Sequence, residues 1–433
     1  MPPKSSVRIE ELINYFDYNY PPPNDGRPFA VHAETGIAPW NPDHLLLRIA
    51  VKGKEFPALE RPPVNLTFLL DVSGSMDMPN KLPLLKKAME MLVDELGERD
   101  TVSICVYAGD AGTVLKPTSG DNKEAIMSAL RRLNAGGSTA GSQGINLAYD
   151  LAQEHFNAEA ANRVIICTDG DFNVGVTSRS DLVDLIQRKA ESGVSLTVLG
   201  FGMGNYHDGT LKQLASKGNG NYGYIDTIEE AHKLLVRQLS GTLVTIANDV
   251  KIQVEFNPAT VGAYRLIGYE NRILRVEDFN DDTVDAGDIG AGHTVTAFYE
   301  IIPPGKLTDD LPTVDPLRYA VRQDAGEAPS AFSDEFGAVK VRYKLPGETE
   351  SALLSFPVKT GDVKKAGETS EDFNFAAAVA AFGMMLRDSP HKGNADFPMV
   401  QALALSSLGT DEFGYRLNFM QMVSRAKTAR SMH

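Results

Sequence analysis

Cysteine and tryptophan are scarce in this sequence, which holds two cysteines and one tryptophan among 433 residues. Cys105 and Cys167 each lie inside an apolar run that predicts a central strand of a sheet. If these two strands flank a third one, as in the sheet order given below, they are about 9–10 Å apart. A disulfide cannot bridge that distance. We therefore expect two buried thiols, which carry no information about the cellular compartment.

Positive charge and long apolar runs are also in short supply. The chain has 42 lysines and arginines against 57 aspartates and glutamates, a net charge of −15, and no basic cluster. This composition argues against a nucleic-acid partner, which needs phosphate contacts from lysine and arginine, and offers no attraction to an anionic membrane surface. No run approaches the roughly 20 apolar residues that span a bilayer, so no direct membrane span is expected.

The chain between residues 64 and 243 alternates between apolar runs and amphipathic stretches. Such alternation predicts an α/β fold with a doubly wound, mainly parallel sheet, whose central strands are continuously apolar because helices cover both faces. The predicted strands are 64–71, 102–108, 163–168, 194–201 and 221–225, with a short one near 113–116. The predicted helices are 81–97, 122–133, 142–156, 179–192, 208–217 and 228–240.

The flanking segments follow a different pattern. Residues 250–256, 294–301 and 339–343 alternate strictly between apolar and polar residues, which predicts antiparallel strands with one solvated face. Two strands predicted within 28–52 need a partner sheet, so we expect both flanks to form one β-sandwich-like domain into which the α/β domain is inserted. An amphipathic helix over 6–17, capped by Ser6, opens the chain.

These patterns divide the chain into four predicted segments. Residues 1–62 hold the first helix and strands, and residues 63–243 form the α/β domain. Residues 244–360 complete the β-sandwich-like domain. Residues 361–433 form a C-terminal helical segment, with helices expected over 371–388, 394–408 and 411–428.

Oxygen-bearing side chains lie in three segments of the chain that meet at one edge of the predicted sheet. Asp71 ends the first strand of the α/β domain and is followed by Ser73 and Ser75, Thr139 lies in a glycine-rich loop, and Asp169 ends a neighbouring strand. The carboxyl ends of parallel strands meet at one edge, where ligands bind. Oxygen ligands suit Mg²⁺ above all. We therefore predict a metal site, with Mn²⁺ or Ca²⁺ as alternatives, that leaves one coordination position for a partner.

The segments Asp71-Val-Ser-Gly-Ser75, Gly-Gly-Ser-Thr139 and Thr-Asp169-Gly resemble the metal-ion-dependent adhesion site of von Willebrand factor type A domains. The match covers residues 64–243. The resemblance implies that Ser73, Ser75 and Thr139 bind the metal directly, and that Asp71 and Asp169 bind it directly or through water. It also implies a strand order of 3-2-1-4-5-6 with an antiparallel edge strand, here 113–116.

The whole chain is similar to a subgroup of bacterial von Willebrand A proteins. The similarity rests on the opening helix, Arg8-Ile-Glu-Glu-Leu-Ile-Asn-Tyr-Phe16, and on the segment Tyr264-Arg-Leu-Ile-Gly-Tyr-Glu-Asn-Arg272. Members often carry a lipoprotein signal, so the resemblance implies a place in the bacterial cell envelope or periplasm. Met1-Pro-Pro-Lys-Ser-Ser6 lacks the apolar core of a signal peptide, so the alternatives are a removed signal or a cytoplasmic protein.

The expected function is a metal-dependent protein-binding module, not an enzyme, in which a partner's Asp or Glu completes the metal shell. Two alternatives are an envelope scaffold whose metal stabilises the fold and a metal-assisted hydrolase with Asp77 or Asp171 as base. No nucleophile–base pair is recognisable in the sequence, which disfavours the hydrolase. In related domains ligand binding moves the last helix, which matches 228–240, so coupling to the flanking domain is a further hypothesis.

Overall fold

The computed structural model describes most of the chain, and its residues form two compact units. The described residues are 1–57, 60–108, 111–137, 141–170, 179–202, 208–237, 244–270, 275, 277–282, 284, 286–306, 332–365 and 367–431. The first unit comprises Met1–Lys54, Ile246–Ile289 and His293–His433, and the second comprises Glu55–Thr245 and Gly290–Gly292. The N-terminal strands, the later β strands and the C-terminal helices therefore belong to one unit, and the second unit is inserted between its segments.

The described residues form the following elements. The strands are β1 (Phe29–Ala38), β2 (Asn41–Gly53), β3 (Val64–Asp71), β4 (Thr101–Tyr107), β5 (Ala111–Ser119), β6 (Ala161–Thr168), β7 (Ser195–Phe201), β8 (Tyr222–Ile225), β9 (Thr245–Phe256), β10 (Ala263–Ile267), β11 (Gly287–Gly290), β12 (Thr294–Ile302), β13 (Glu335–Lys344), β14 (Ala352–Lys359) and β15 (Val363–Lys364). The helices are α1 (Ile9–Ile13), α2 (Leu82–Asp94), α3 (Lys123–Arg131), α4 (Gly141–Glu154), α5 (Arg179–Ala190), α6 (Asp208–Lys217), α7 (Ile228–His232), α8 (Glu371–Arg387), α9 (Phe397–Leu405) and α10 (Tyr415–Ser431).

The second unit contains a six-stranded sheet in the order β5-β4-β3-β6-β7-β8. All neighbours are parallel except β5, which runs antiparallel to β4 at the edge. This arrangement confirms the α/β class and the strand order that the resemblance implies. The edge strand is longer than predicted. Every residue of the central strand β3 is buried, as expected for a strand with both faces covered.

The two cysteines lie on either side of β3. Leu69 pairs with Cys105 of β4, and Leu70 pairs with Cys167 of β6. Both thiols are free and buried, and burial raises the pKa of each. The prediction of two separated, buried thiols is confirmed.

The helix predicted over 228–240 is interrupted in the structure. The α-helical part, α7, ends at His232, and a π-helical turn covers Lys233–Arg237. Thr227 caps the helix, since its hydroxyl accepts a hydrogen bond from the backbone N–H of Glu230 at 3.2 Å. Residues 238–243 lie outside the described residues, and so does the end of the predicted helix.

The first unit contains two sheets. One has the order β10-β12-β2-β1-β15 and the other has the order β11-β9-β13-β14. The two sheets face each other, since the ring of Phe29 in β1 lies edge-on to that of Tyr343 in β13, with centroids 4.8 Å apart. This packing is the predicted sandwich-like arrangement.

Helix α8 is the core of the helical part of this unit, and most of its residues are buried around its whole circumference, as expected for a central helix. Its Phe375 packs edge-on against Phe16, with ring centroids 4.9 Å apart. Phe419 of α10 lies 5.5 Å from Phe375 and 5.5 Å from Phe382. The segment that follows α1 and the helices α8 and α10 are therefore held together by aromatic contacts.

The opening helix predicted over 6–17 is shorter in the structure. Ser6 belongs to a separate 3₁₀ turn and caps nothing, and α1 covers Ile9–Ile13. The helix ends at Asn14, whose side chain donates to the carbonyl of Glu10 at 2.8 Å and also bonds to β12. The Asn14 amide accepts from the N–H of Thr296 at 2.7 Å and donates to the carbonyl of Thr296 at 2.9 Å. Ile9, Ile13 and Phe16 are still buried, so the predicted apolar stripe survives the shortening.

The second unit contains a buried ion pair between Arg61 and Asp100. Arg61 donates to both Asp100 oxygens at 2.9 and 2.6 Å, and the backbone N–H groups of Val64 and Gly97 donate at 3.0 and 2.8 Å. Burial raises the pKa of the Asp100 carboxyl, but these hydrogen bonds outweigh burial, so the pKa lies below its usual range.

We expect Asp100→Asn to destabilise the second unit by about 3–5 kcal/mol at pH 7, because it leaves Arg61 without its counter-charge. Urea denaturation followed by far-UV circular dichroism measures the loss. A lowered pKa stabilises the fold above the unfolded value of about 3.9. The difference from wild type should therefore shrink as the pH falls through the pKa of the folded state. Asp150→Asn, in the exposed pair with Lys189, is the control and should cost less than about 1 kcal/mol. Equal losses for the two variants at pH 7 would contradict the assignment.

Candidate metal centre

The carboxylate of Asp71 lies at the centre of the candidate site. It ends β3 and is 0% exposed. Its Oδ1 accepts from the backbone N–H of Ser73 at 2.9 Å, and its Oδ2 accepts from the Tyr107 hydroxyl at 3.1 Å and the Thr168 hydroxyl at 3.4 Å. Tyr107 and Thr168 end β4 and β6, the two neighbours of β3. The carboxyl ends of three adjacent parallel strands therefore hold this one side chain.

The two serines of the motif lie on the loop after Asp71. A short 3₁₀ turn over Gly74–Asp77 brings their hydroxyl oxygens to 3.0 Å from each other. Ser73 is 2% exposed, whereas Ser75 is exposed at the rim. One hydroxyl therefore lies beside the buried carboxylate and the other faces solvent, so the pair can present oxygens to an ion entering from outside.

The serine loop is tied by backbone hydrogen bonds to the glycine-rich loop that precedes Thr139. Gly74 donates to the carbonyl of Gly137 at 3.2 Å, and Gly136 donates to the carbonyl of Val72 at 2.8 Å. Gly137 adopts a φ of 83°, which glycine reaches without strain. The two loops thus approach each other at the same edge of the sheet. Thr139 itself lies outside the described residues.

Asp169 directly follows β6 and its side chain is 3% exposed. It forms an ion pair with Lys81, whose Nζ lies 2.8 Å from Oδ2 of Asp169. The same amine donates to the backbone carbonyl of Ser75 at 3.0 Å. Sequence reasoning missed Lys81, because a lysine at the start of an amphipathic helix is normally a solvated residue. No spacing or motif in the sequence singles it out.

The electrostatics of the site favour a cation. Burial raises the pKa of the Asp71 carboxyl, and the negative charge of Asp169 raises it further, while hydrogen bonds from Ser73 and Tyr107 lower it; the net pKa is raised. A positive charge near these groups would stabilise the ionised carboxylates. Carboxylate and hydroxyl oxygens are also the ligand types that Mg²⁺ prefers, so the donor set fits a hard divalent cation.

The structure therefore brings Asp71, Ser73 and Ser75 together and places Asp169 on the adjacent strand end, linked to Ser75 through Lys81. Among the residues that the structure describes, no group of three or more His, Cys, Asp or Glu is arranged to hold a metal. The candidate site differs from such groups because it combines two carboxylates with hydroxyls. Asp77 is exposed beside the serine loop, and Asp171 lies outside the described residues.

Comparison with known proteins identifies the class of the second unit. The protein-family model of the von Willebrand factor type A domain matches residues 65–238. A model described as von Willebrand factor matches residues 1–48, and one for the C-terminal part of the uncharacterized protein YfbK matches residues 241–429. The second unit is therefore a von Willebrand factor type A domain.

Two uncharacterized bacterial proteins are similar over most of the chain. YfbK of Escherichia coli (strain K12) is 41% identical over 433 residues, which cover 98% of this chain and 74% of YfbK. Protein sll0103 of Synechocystis is 33% identical over 318 residues, which cover 72% of this chain and 69% of that protein. The chain thus belongs to the family of YfbK.

More distant similarities extend over part of the chain or are weaker. Inter-alpha-trypsin inhibitor heavy chain H3 of Homo sapiens is 26% identical over 201 residues, which cover 45% of this chain and 22% of that protein. A solved structure of a von Willebrand factor type A protein from Catenulispora acidiphila covers 92% of this chain and 89% of its own, at 16% identity and a TM-score of 0.46. That score adds nothing to the family assignment. Within the described ranges, no helix has the length and apolar character needed to cross a membrane.

The hydrogen bond from Tyr107 to Asp71 can be tested against a matched tyrosine. We expect Tyr107→Phe to destabilise the domain by about 1.5–3 kcal/mol, because a buried charged acceptor loses a donor. Tyr149 on α4 is equally buried, but its hydroxyl has no hydrogen-bond partner among the described residues. Tyr149→Phe should therefore be neutral or slightly stabilising. Urea denaturation compares the two variants, and an equal effect of both would show that the Tyr107 contact contributes nothing.

Proposed function

We propose that this chain is a protein-binding module whose von Willebrand factor type A domain holds a divalent cation, Mg²⁺ in the first place. The residues that would hold the cation are Asp71, Ser73, Ser75, Thr139 and Asp169. The observation that carries the proposal is the pair of serine hydroxyls 3.0 Å apart beside a fully buried carboxylate. A carboxylate from a partner protein would complete the metal shell. Membership in a family whose domains typically mediate protein interactions supports this proposal.

The geometry supports an incoming anion as the last ligand. The described donors lie on one side of the site, at the sheet edge, while Ser75 at the rim is open to solvent. Mg²⁺ prefers octahedral coordination and keeps waters where protein ligands do not reach it. A partner Asp or Glu could replace such a water. The surface around the site would then supply selectivity, because a single ionic contact does not distinguish one carboxylate from another.

The two alternatives make different predictions about the same metal. A scaffold would need the cation for stability, so chelation would unfold the domain. A hydrolase would need a base, and the described candidate, Asp77, is exposed to solvent. The binding proposal requires that metal removal abolishes recognition and leaves most of the stability intact.

We expect the protein to bind one Mn²⁺, a spectroscopic substitute for Mg²⁺. The double variant Ser73→Ala/Ser75→Ala should bind Mn²⁺ at least about tenfold more weakly, because two oxygen donors are lost. Electron paramagnetic resonance titration of free Mn²⁺ measures the affinity. Ser119→Ala is the control, since its exposed hydroxyl bonds to the carbonyl of Glu98 in the same domain. Unchanged binding by the double variant would contradict the site. A melting temperature that collapses with EDTA would favour the scaffold.

A carboxylate should displace water from the bound metal. We expect a short peptide that contains glutamate to reduce the water-proton relaxation enhancement of the Mn²⁺ complex, because an inner-shell water is lost on coordination. The same peptide with glutamine in place of glutamate should leave the relaxation unchanged. If both peptides act alike, or neither does at millimolar concentration, carboxylate completion is wrong even if the metal binds.

A further inference from the structure

Lys81 extends from the start of α2 into the candidate metal centre. Its side chain is 12% exposed, and its amine contacts one of the proposed ligand residues, Asp169, and the backbone of another, Ser75. A lysine normally keeps its amine in water. Here the charge is brought into the site, against a carboxylate that is itself 3% exposed.

The carboxyl end of β7 is shaped to accept the Lys81 stem. A Cβ placed on Gly202 would lie 2.6 Å from Cε and 2.8 Å from Cγ of Lys81, so a larger residue would collide with the stem. Gly202 also adopts a φ of 85°, a conformation that side-chain-bearing residues rarely adopt. The hydroxyl of Tyr224 donates to the carbonyl of Gly202. The glycine therefore provides a groove that directs the lysine toward Asp169.

The charge of Lys81 changes the cost of leaving the site without a metal. Loss of the counter-charge of a buried carboxylate is strongly destabilising, and the carboxylates of Asp71 and Asp169 are both buried at one edge of the sheet. The ammonium group pairs with Asp169 directly. The proposed divalent cation needs the same carboxylate, so the ammonium and the cation make competing demands on it.

We propose that Lys81 is a built-in counter-ion that holds Asp169 in the metal-free protein and must leave it when a divalent cation binds. Lys81 would therefore lower the affinity for the metal and stabilise the metal-free domain. The inference rests on the proposed metal site and adds a specific role for a residue outside the ligand set. The ion pair between Lys81 and Asp169 would also make the domain stable enough to exist without metal, so that metal occupancy can vary.

The test replaces Lys81 with methionine, which keeps an unbranched stem over Gly202 and removes the charge. We expect K81M to bind Mn²⁺ about tenfold more tightly than wild type, the factor expected when one charge-assisted hydrogen bond no longer has to be broken. The metal-free variant should melt at a lower temperature than wild type, and saturating Mn²⁺ should raise its melting temperature by more. Lys87→Met is the matched control, because Lys87 is an exposed lysine on the same helix. Its Mn²⁺ affinity and its melting temperature should equal those of wild type.

The outcomes separate this inference from the proposed function. If wild type binds Mn²⁺ and K81M binds it equally or more weakly, the counter-ion role is wrong and the metal site stands. If neither protein binds Mn²⁺, both proposals are overturned. Lys81→Gln gives the same comparison with a polar neutral side chain, so the test does not depend on whether K81M folds.

Discussion

The candidate site depends on the burial of one carboxylate, that of Asp71, at the end of a strand that is buried along its whole length. A charge in that position is destabilising unless donors surround it. The donors come from the loop that follows and from the two neighbouring strands, through Ser73, Tyr107 and Thr168. The need to satisfy Asp71 therefore fixes the path of the serine loop and aligns the ends of β3, β4 and β6. The positions of Ser73 and Ser75 follow from this constraint.

Asp169 is subject to the same constraint, because its carboxylate is also buried and places a second negative charge next to Asp71. The amine of Lys81 forms an ion pair with Asp169 and also donates a hydrogen bond to the serine loop. The amine thus joins the loop after β3 to the end of β6, the two segments that carry the predicted ligands. Helix α2 is held in place by its buried apolar face, so the amine is brought to the site by ordinary helix packing.

The sequence predicts those features that depend on local pattern. The apolar run before Asp71 and the two cysteine-bearing runs each predict a central strand. The pairing of Leu69 with Cys105 and of Leu70 with Cys167 places the three strands side by side, in the order that the resemblance implies. The strand order came from the resemblance and not from the pattern. Features that depend on distant contacts were not predictable. The side chain of Asn14, at the end of the first helix, bonds to Thr296, and Lys81 bonds to Asp169 across 88 positions of the chain. Nothing in either local sequence indicates such a partner.

Charge balance offers a physical reason for the proposed order of binding. With both carboxylates ionised, Asp71, Asp169 and Lys81 together leave one negative charge at the edge of the sheet. The net charge of −15 over the whole chain adds a field that attracts cations and repels an acidic partner. In the proposed complex a dication would convert the local charge to a single positive one, which one partner carboxylate neutralises. A carboxylate arriving before the metal would meet a net negative charge, so the metal would have to bind first, and Lys81 would set the concentration at which it does.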